Sequence, residues 1–157
     1  MSRRNERFSF KAAWVHLPHN EPLGVDLLAQ HGISAKQASA LVRSGWLQRL
    51  GRGAYRLPGE QLDLHACLAF LGQRVPGLHV AGKTALAWRR IRHNLAFRET
   101  VILWGEAPAR LPAWFTAQFE TRYRVAHVFD PSLPAGLGLA PLPAGRPDLL
   151  VSTPERA

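Results

Sequence analysis

Gly77 and the triplet Gly82-Lys83-Thr84 are separated by four residues. That is the G-x-x-x-x-G-K-[ST] spacing of a loop whose backbone amides cradle phosphate, and it raises the chemistry of a nucleotide-binding enzyme. The chemistry needs a buried strand, then a loop with converging N–H groups, then a helix. Before Gly77 the sequence has helical periodicity instead, with Leu64, Leu68, Leu71 and Val75 on one side. The four intervening residues, Leu78, His79, Val80 and Ala81, are mostly apolar and look like a short strand. "VILWGE" imitates a metal-binding strand, but no Asp ends it. The context therefore predicts short extended structure at His79 and Val80, a helix opening at Gly82, and Lys83 on its surface. A nucleotide site at Gly77 to Thr84 remains as an alternative.

Other chemistries find less support. The seven histidines, including His16 and His19, are scattered without carboxylate partners at ligand spacing, so no metal site is expected. Cys67 is the single cysteine, which excludes an internal disulfide framework and a Cys-based zinc site; in "LHACLAF" it reads as a small buried hydrophobe. Pro147-Asp148 could start a nuclease motif, but no Glu-x-Lys follows. The Ser and Thr residues lack a nucleophile context. No catalytic residue and no cofactor are expected, and the chain reads as a non-enzyme.

Charge points elsewhere. The formal net charge is +9, which suits a polyanionic partner. Position sharpens this. From Asp26 to Glu60 no acidic residue intervenes, yet Lys36, Arg43, Arg49, Arg52 and Arg56 occur. From Asp63 to Glu99 the same holds, with Arg74, Lys83, Arg89, Arg90, Arg92 and Arg98.

The elements that would position the first window can be read in order. Phe10, Ala13, Trp14 and Leu17 follow the spacing of an amphipathic helix, stopped by Pro18. "EPLGVDLLAQHG" reads as a second short helix with Leu23, Leu27 and Leu28 on one side and Gly32 as its left-handed cap. A third helix opens on a capping box, Ser34 with Gln37, and ends at Gly45. Its apolar face holds Ala38, Leu41 and Val42; the opposite face carries Lys36, Ser39, Ala40 and Arg43, with Gln37 at the flank. "WLQRL" and "AYRL" flank "GRG" as a hairpin. Three short helices and a β-ribbon are the layout of a winged helix-turn-helix. In that layout Lys36 and Gln37 lie where a recognition helix reaches base edges, while Ala40 permits close approach. Arg43, Arg49, Arg56 and the hairpin-tip Arg52 are placed for phosphates. Gln37 could equally serve only as a cap, and any one arginine could be a solvated surface residue. The second window, Lys83, Arg89, Arg90 and Arg92, would supply accessory DNA contacts.

The expected fold is α+β. Residues 1–60 form the winged helix-turn-helix and residues 61–157 a small α+β domain, with a boundary near Gly59 to Leu62. In the second part, "GKTALAWRRIRH" is a helix, and "TVILW", "YRVAHVF" and "LLVS" are strands. "FDPSLPAGLGLAPLPAGRPD" is an irregular connection. "STPERA" signals a helix start, with Ser152 or Thr153 as cap, Pro154 in the first turn and Glu155 at the capping-box position; the expectation is that the domain is truncated there. The 157 residues allow one ordinary domain or two small ones. No apolar run approaches the length of a membrane span, and Lys11 and His16 interrupt any signal-like core, so a cytoplasmic location is expected.

Four stretches carry a family resemblance. "GISAKQASALVRSGWLQRLGRGAYRLPG" resembles the N-terminal winged-helix region of the AbiEi family, the antitoxins of type IV toxin–antitoxin systems. "LHVAGKTAL" is similar to a segment of that family in which Gly-Lys/Arg-Thr opens a helix without binding a nucleotide. "VILWGEAPARLPAWF" resembles its strand followed by "LPxWF", and "VSTPERA" a motif leading into a further helix. The resemblance spans nearly the whole chain. It implies a DNA-binding regulator that represses its own operon through inverted repeats in double-stranded DNA. It also implies a C-terminal region that counteracts a nucleotidyltransferase toxin without a stable complex. A protein-interaction module with a basic surface is the other alternative.

Overall fold

The computed structural model describes residues 10–91 and 99–157. The chain divides into two compact units, Met1–Leu62 and Asp63–Ala157. The fold is α+β, with a winged-helix-like N-terminal unit.

In the first unit the order is α1 (Phe10–Trp14), β1 (Leu23–Gly24), α2 (Val25–Gln30), α3 (Ala35–Arg43), β2 (Gln48–Gly51) and β3 (Ala54–Arg56). The strands form an antiparallel sheet in the order β1-β3-β2. Glycine ends both longer helices because the chain must turn through left-handed backbone there: Gly32 has φ 78° and Gly45 φ 82°. Ala13, Leu17, Leu28, Ile33, Ala38, Leu47, Tyr55 and Leu57 meet in one core. The sequence places Leu23 on the apolar side of the second helix. In the structure it lies in β1, paired with Tyr55, and the helix starts at Val25. A two-residue strand has no period to read, so the third strand of this sheet comes only from tertiary pairing.

The second unit contains α4 (Leu64–Gly72), β4 (His79–Val80), α5 (Gly82–Trp88), β5 (Val101–Gly105), α6 (Ala113–Thr116), β6 (Thr121–Val125), β7 (Leu139–Ala140) and β8 (Val151–Ser152). Asp63 caps α4 by accepting the Ala66 N–H at 2.9 Å. The five strands form a mixed sheet in the order β6-β5-β4-β8-β7. Pairs β5–β6 and β4–β8 are parallel; β4–β5 and β7–β8 are antiparallel.

Two expectations need correction, and a third is decided between its two alternatives. The strand expected over "YRVAHVF" begins earlier, at Thr121, and stops at Val125, because its register is set by β5. The Pro/Gly-rich connection contains a short strand, β7, which pairs with β8. At the end of the chain Ser152 belongs to β8, so Thr153 heads the turn: its carbonyl accepts the N–H of Arg156 and of Ala157, each at 3.0 Å.

Candidate nucleic-acid interface

Helix α3 starts with a closed capping box. Gln37 N–H donates to Ser34 Oγ at 3.2 Å, and Ser34 N–H donates to Gln37 Oε1 at 2.8 Å. Two of the first-turn amides that a helix leaves unpaired are thereby satisfied. The box also fixes which way α3 faces. Ala38 is buried, while Lys36, Ser39, Ala40 and Arg43 are all exposed. At ~100° per residue these four fall within an arc of about 100° opposite Ala38. The side chains of Lys36 and Arg43 make no hydrogen bond or ion pair with the described residues. Gln37 is half-buried, and its side-chain oxygen is engaged in the box, which leaves the amide nitrogen as its unused donor.

The hairpin supplies a second cationic element. Gly53 (φ 67°) makes the turn between β2 and β3, and Arg52 sits exposed at its tip. Arg49 is exposed and donates from Nε to its own strand's Gly51 carbonyl at 3.3 Å. Arg56 is half-buried, and its Nε donates to Gln48 Oε1 at 2.8 Å, straight across the β2–β3 pair. Sequence reasoning overlooked Gln48. Its only signal was the cross-strand register of a hairpin centred on "GRG".

The acid that closes this basic window, Glu60, is engaged elsewhere. Glu60 is tied to the His19 ring, and its Oε2 accepts the Asn20 N–H at 2.6 Å. Partial burial works against ionisation of Glu60, but the Asn20 amide and His19 outweigh it and hold the carboxyl below its usual range.

The second basic window divides. Lys83 and Arg90 are exposed, Arg90 at φ 61° where α5 unwinds. Arg89 is turned into the fold: Nε donates to the Ser152 carbonyl at 2.8 Å, and Nη2 to the carbonyls of Ala140 at 2.8 Å and Val151 at 3.0 Å. It fastens α5 to β7 and β8, so its guanidinium is engaged with backbone carbonyls, unlike a cation held free for an accessory DNA contact. Arg92 lies outside the described residues.

The phosphate-loop spacing has a different use. Residues 79–80 are β4, so the backbone inside the motif is already paired. Val80 N–H donates to Leu150 O, Ala81 N–H to Ile102 O, and Leu78 N–H to Val75 O. The side chain of Glu106 lies against the first glycine of the motif: a Cβ on Gly77 would stand 2.5 Å from Glu106 Cγ. The Thr84 hydroxyl is fully buried, donating to Thr100 O at 3.3 Å and accepting Ile102 N–H at 3.0 Å. Gly82-Lys83-Thr84 is thus the junction that joins α5 to β5.

Among the described residues no group of three His, Cys, Asp or Glu could hold a metal ion. No described helix is long and apolar enough to cross a membrane.

Comparison with known proteins adds the family. A model described as the N-terminal domain of the AbiEi antitoxin, a transcriptional regulator, matches residues 7–97. A second, described as a transcriptional regulator, AbiEi antitoxin of type IV toxin–antitoxin systems, matches residues 98–157. Their junction falls within the second compact unit rather than at Leu62. No curated protein matches the chain by sequence. Among solved structures, the RV2827C protein from Mycobacterium tuberculosis is similar at 19% identity and a TM-score of 0.44, over 84% of this chain. This chain spans 47% of that one's length.

Proposed function

Because the chain belongs to the AbiEi family of type IV toxin–antitoxin antitoxins and transcriptional regulators, we propose that it binds operator DNA and represses its own operon. The observation that carries this is the outward face of α3, where Lys36, Ser39, Ala40 and Arg43 stand exposed with no acidic partner among the described residues. A recognition helix needs such a face to enter the major groove. Lys36, and the amide nitrogen of Gln37, lie at the N-terminal half, where base edges come within reach. Ser39 and Ala40 permit close approach. Arg43, Arg49, Arg52 and Arg56 bind phosphates, with Gln48 bracing Arg56. Lys83 and Arg90 serve as accessory contacts. The domain organisation in this reading is DNA binding by residues 1–60 and antitoxin function by residues 61–157, which counteract a nucleotidyltransferase toxin without a stable complex. The chain acts by binding rather than catalysis.

The experiment is a titration of the chain with the DNA upstream of its own operon and with random DNA, across a salt series. The operator should bind far more tightly, and both affinities should fall steeply with salt. Equal affinity for the two would sink the autoregulator reading. A gel shift without any DNA binding at low salt would favour a protein-interaction module instead.

A further inference from the structure

Strand pairing in the second unit puts alternate residues on opposite faces of its sheet. One face carries Val80, Val101, Leu103 and Val151, all buried, and Leu68 of α4 shares a cavity wall with Val80 and Leu103. On the other face His79 stands beside Trp104, Trp104 beside Arg124, and Ile102 beside Arg122. Cover runs out along this row. His79 is buried, Ile102 and Trp104 are half-buried, and Arg122 and Arg124 are exposed on β6, the outermost strand. Neither arginine's side chain makes a hydrogen bond or ion pair with the described residues. The adjacent acid, Glu120, accepts the Thr100 hydroxyl at 2.7 Å, and no other acid lies between Glu106 and Glu120.

The tryptophan is held in place. Its ring meets His79 edge to face, with centroids 6.1 Å apart and planes at 86°. His79 is fixed in turn by its Nδ1, 2.7 Å from the Gly77 carbonyl. A half-buried ring therefore lies one strand inward from two cations whose side chains have no partner among the described residues.

We propose that this face binds a single-stranded polynucleotide, with Arg122 and Arg124 on successive phosphates and Trp104 stacked on a base. The two arginines share one side of a strand, so their stems repeat at about 6.6 Å along it, as contacts tracking an extended backbone must. The apolar row of Ile102 and Trp104 runs parallel at ~4.8 Å. Aromatic rings on a sheet stack the unstacked bases of a single strand. A duplex keeps its bases stacked on each other and offers Trp104 nothing. An acidic peptide would match the arginines but give the flat ring no stacking partner. Charged guards against edge-to-edge pairing would account for the arginines alone, not for the open ring beside them. The proposal concerns the second unit only and stands apart from duplex binding by the first.

The test is fluorescence anisotropy of the full chain with labelled oligouridine, oligothymidine and a random duplex across salt. Both or either single strand should bind at low salt, and their ratio distinguishes RNA from DNA. The paired substitution Arg122→Ala/Arg124→Ala should weaken single-strand binding about tenfold and shrink the log–log salt slope by about 1.4, with duplex affinity unchanged. Trp104→Ala should cost roughly fivefold or more with the slope kept, and Trp104→Phe should retain most of the affinity. Arg52→Ala should leave single-strand binding intact. An unchanged slope and affinity in the double-arginine variant would overturn the proposal in favour of edge guarding. Failure of both oligomers to bind, or equally effective competition by polyglutamate, would overturn it too.

Discussion

Ser34 and Gln37 exchange two hydrogen bonds across the first turn of α3, at 2.8 Å and 3.2 Å. A residue proposed to reach base edges is thus also the residue that closes the helix start. Its oxygen is committed to the cap, and only its amide nitrogen is left without a hydrogen bond among the described residues.

Gln37→Glu separates these two roles. Glutamate closes a capping box as glutamine does, so thermal stability should hold within ~0.5 kcal/mol. The new charge and lost donor should nevertheless weaken operator binding and flatten sequence preference. Gln37→Ala should lose both, with stability down by about 1 kcal/mol. Denaturant melts set beside anisotropy titrations check this; unchanged operator affinity in the glutamate variant would confine Gln37 to capping.

Lys36 and Arg52 should behave differently from each other. Arg52→Ala should weaken all duplexes alike and lower the salt slope by about 1. Lys36→Ala should relax preference at one position of the operator, at a cost of roughly 1–3 kcal/mol of discrimination. A panel of operator point variants titrated at fixed salt tells these apart.

Arg89 anchors α5 to the carbonyls of Ala140, Val151 and Ser152. Arg89→Ala should destabilise the second unit by about 3 kcal/mol, because charge-assisted hydrogen bonds vanish and carbonyls lose partners. DNA affinity measured well below the melting temperature should stay near that of the parent. A stable variant with a reduced salt slope would return Arg89 to the DNA-contact surface.

Thr84 and Lys83 test the nucleotide alternative. Thr84→Val removes both bonds to the β5 segment and should cost about 1–3 kcal/mol of stability. Lys83→Ala, at an exposed position, should be nearly silent in stability. Calorimetric titration of the parent chain with ATP and magnesium should give no binding heat; a saturable signal abolished by Lys83→Ala would reinstate a nucleotide site.

His79 gives the second unit a pH dependence. Burial pushes its imidazole below the ordinary value, helped by the charge of Arg156 and opposed by its bond to Gly77 O and the charge of Glu106. The unfolded chain takes up a proton near pH 6.5, and the folded chain only at lower pH. Between those points the unfolded state holds more protons. Stability is therefore complete above pH 6.5 and falls on acidification, by at most about 1.4 kcal/mol per pH unit. Glu60, whose folded value is depressed, adds a separate loss at lower pH, within and below the carboxylate range. His79→Asn keeps a donor towards Gly77 O without a titrating ring; its urea midpoint, lower overall, should lose the slope between neutral pH and about pH 5.

Elements whose signals are local were legible. The capping box, the glycines at 32, 45 and 53 and the alternation in "TVILW" each state a backbone preference within a few residues. The short extended piece at His79 and Val80 could be inferred from apolar content inside a motif that suggested something else. Strands β1 and β7 could not, because two residues carry no period and form only when Tyr55 or Ser152 arrives from far along the chain.

The same division runs through the candidate sites. Spacing and charge along the chain are properties of sequence, and they suffice to mark Lys36, Ser39, Ala40 and Arg43 as one helical face, since periodicity fixes which residues share a side. Whether a given cation is available to a partner depends on where distant carbonyls and carboxylates end up. Arg89 and Arg90 are neighbours of identical type, yet one is drawn inward by β7 and β8 and the other stands in solvent. Arg122, Arg124 and Trp104 form a surface only because β5 and β6 pair in parallel at one register. Long-range pairing is decided by the packing of the whole unit, and no local stretch of sequence encodes it.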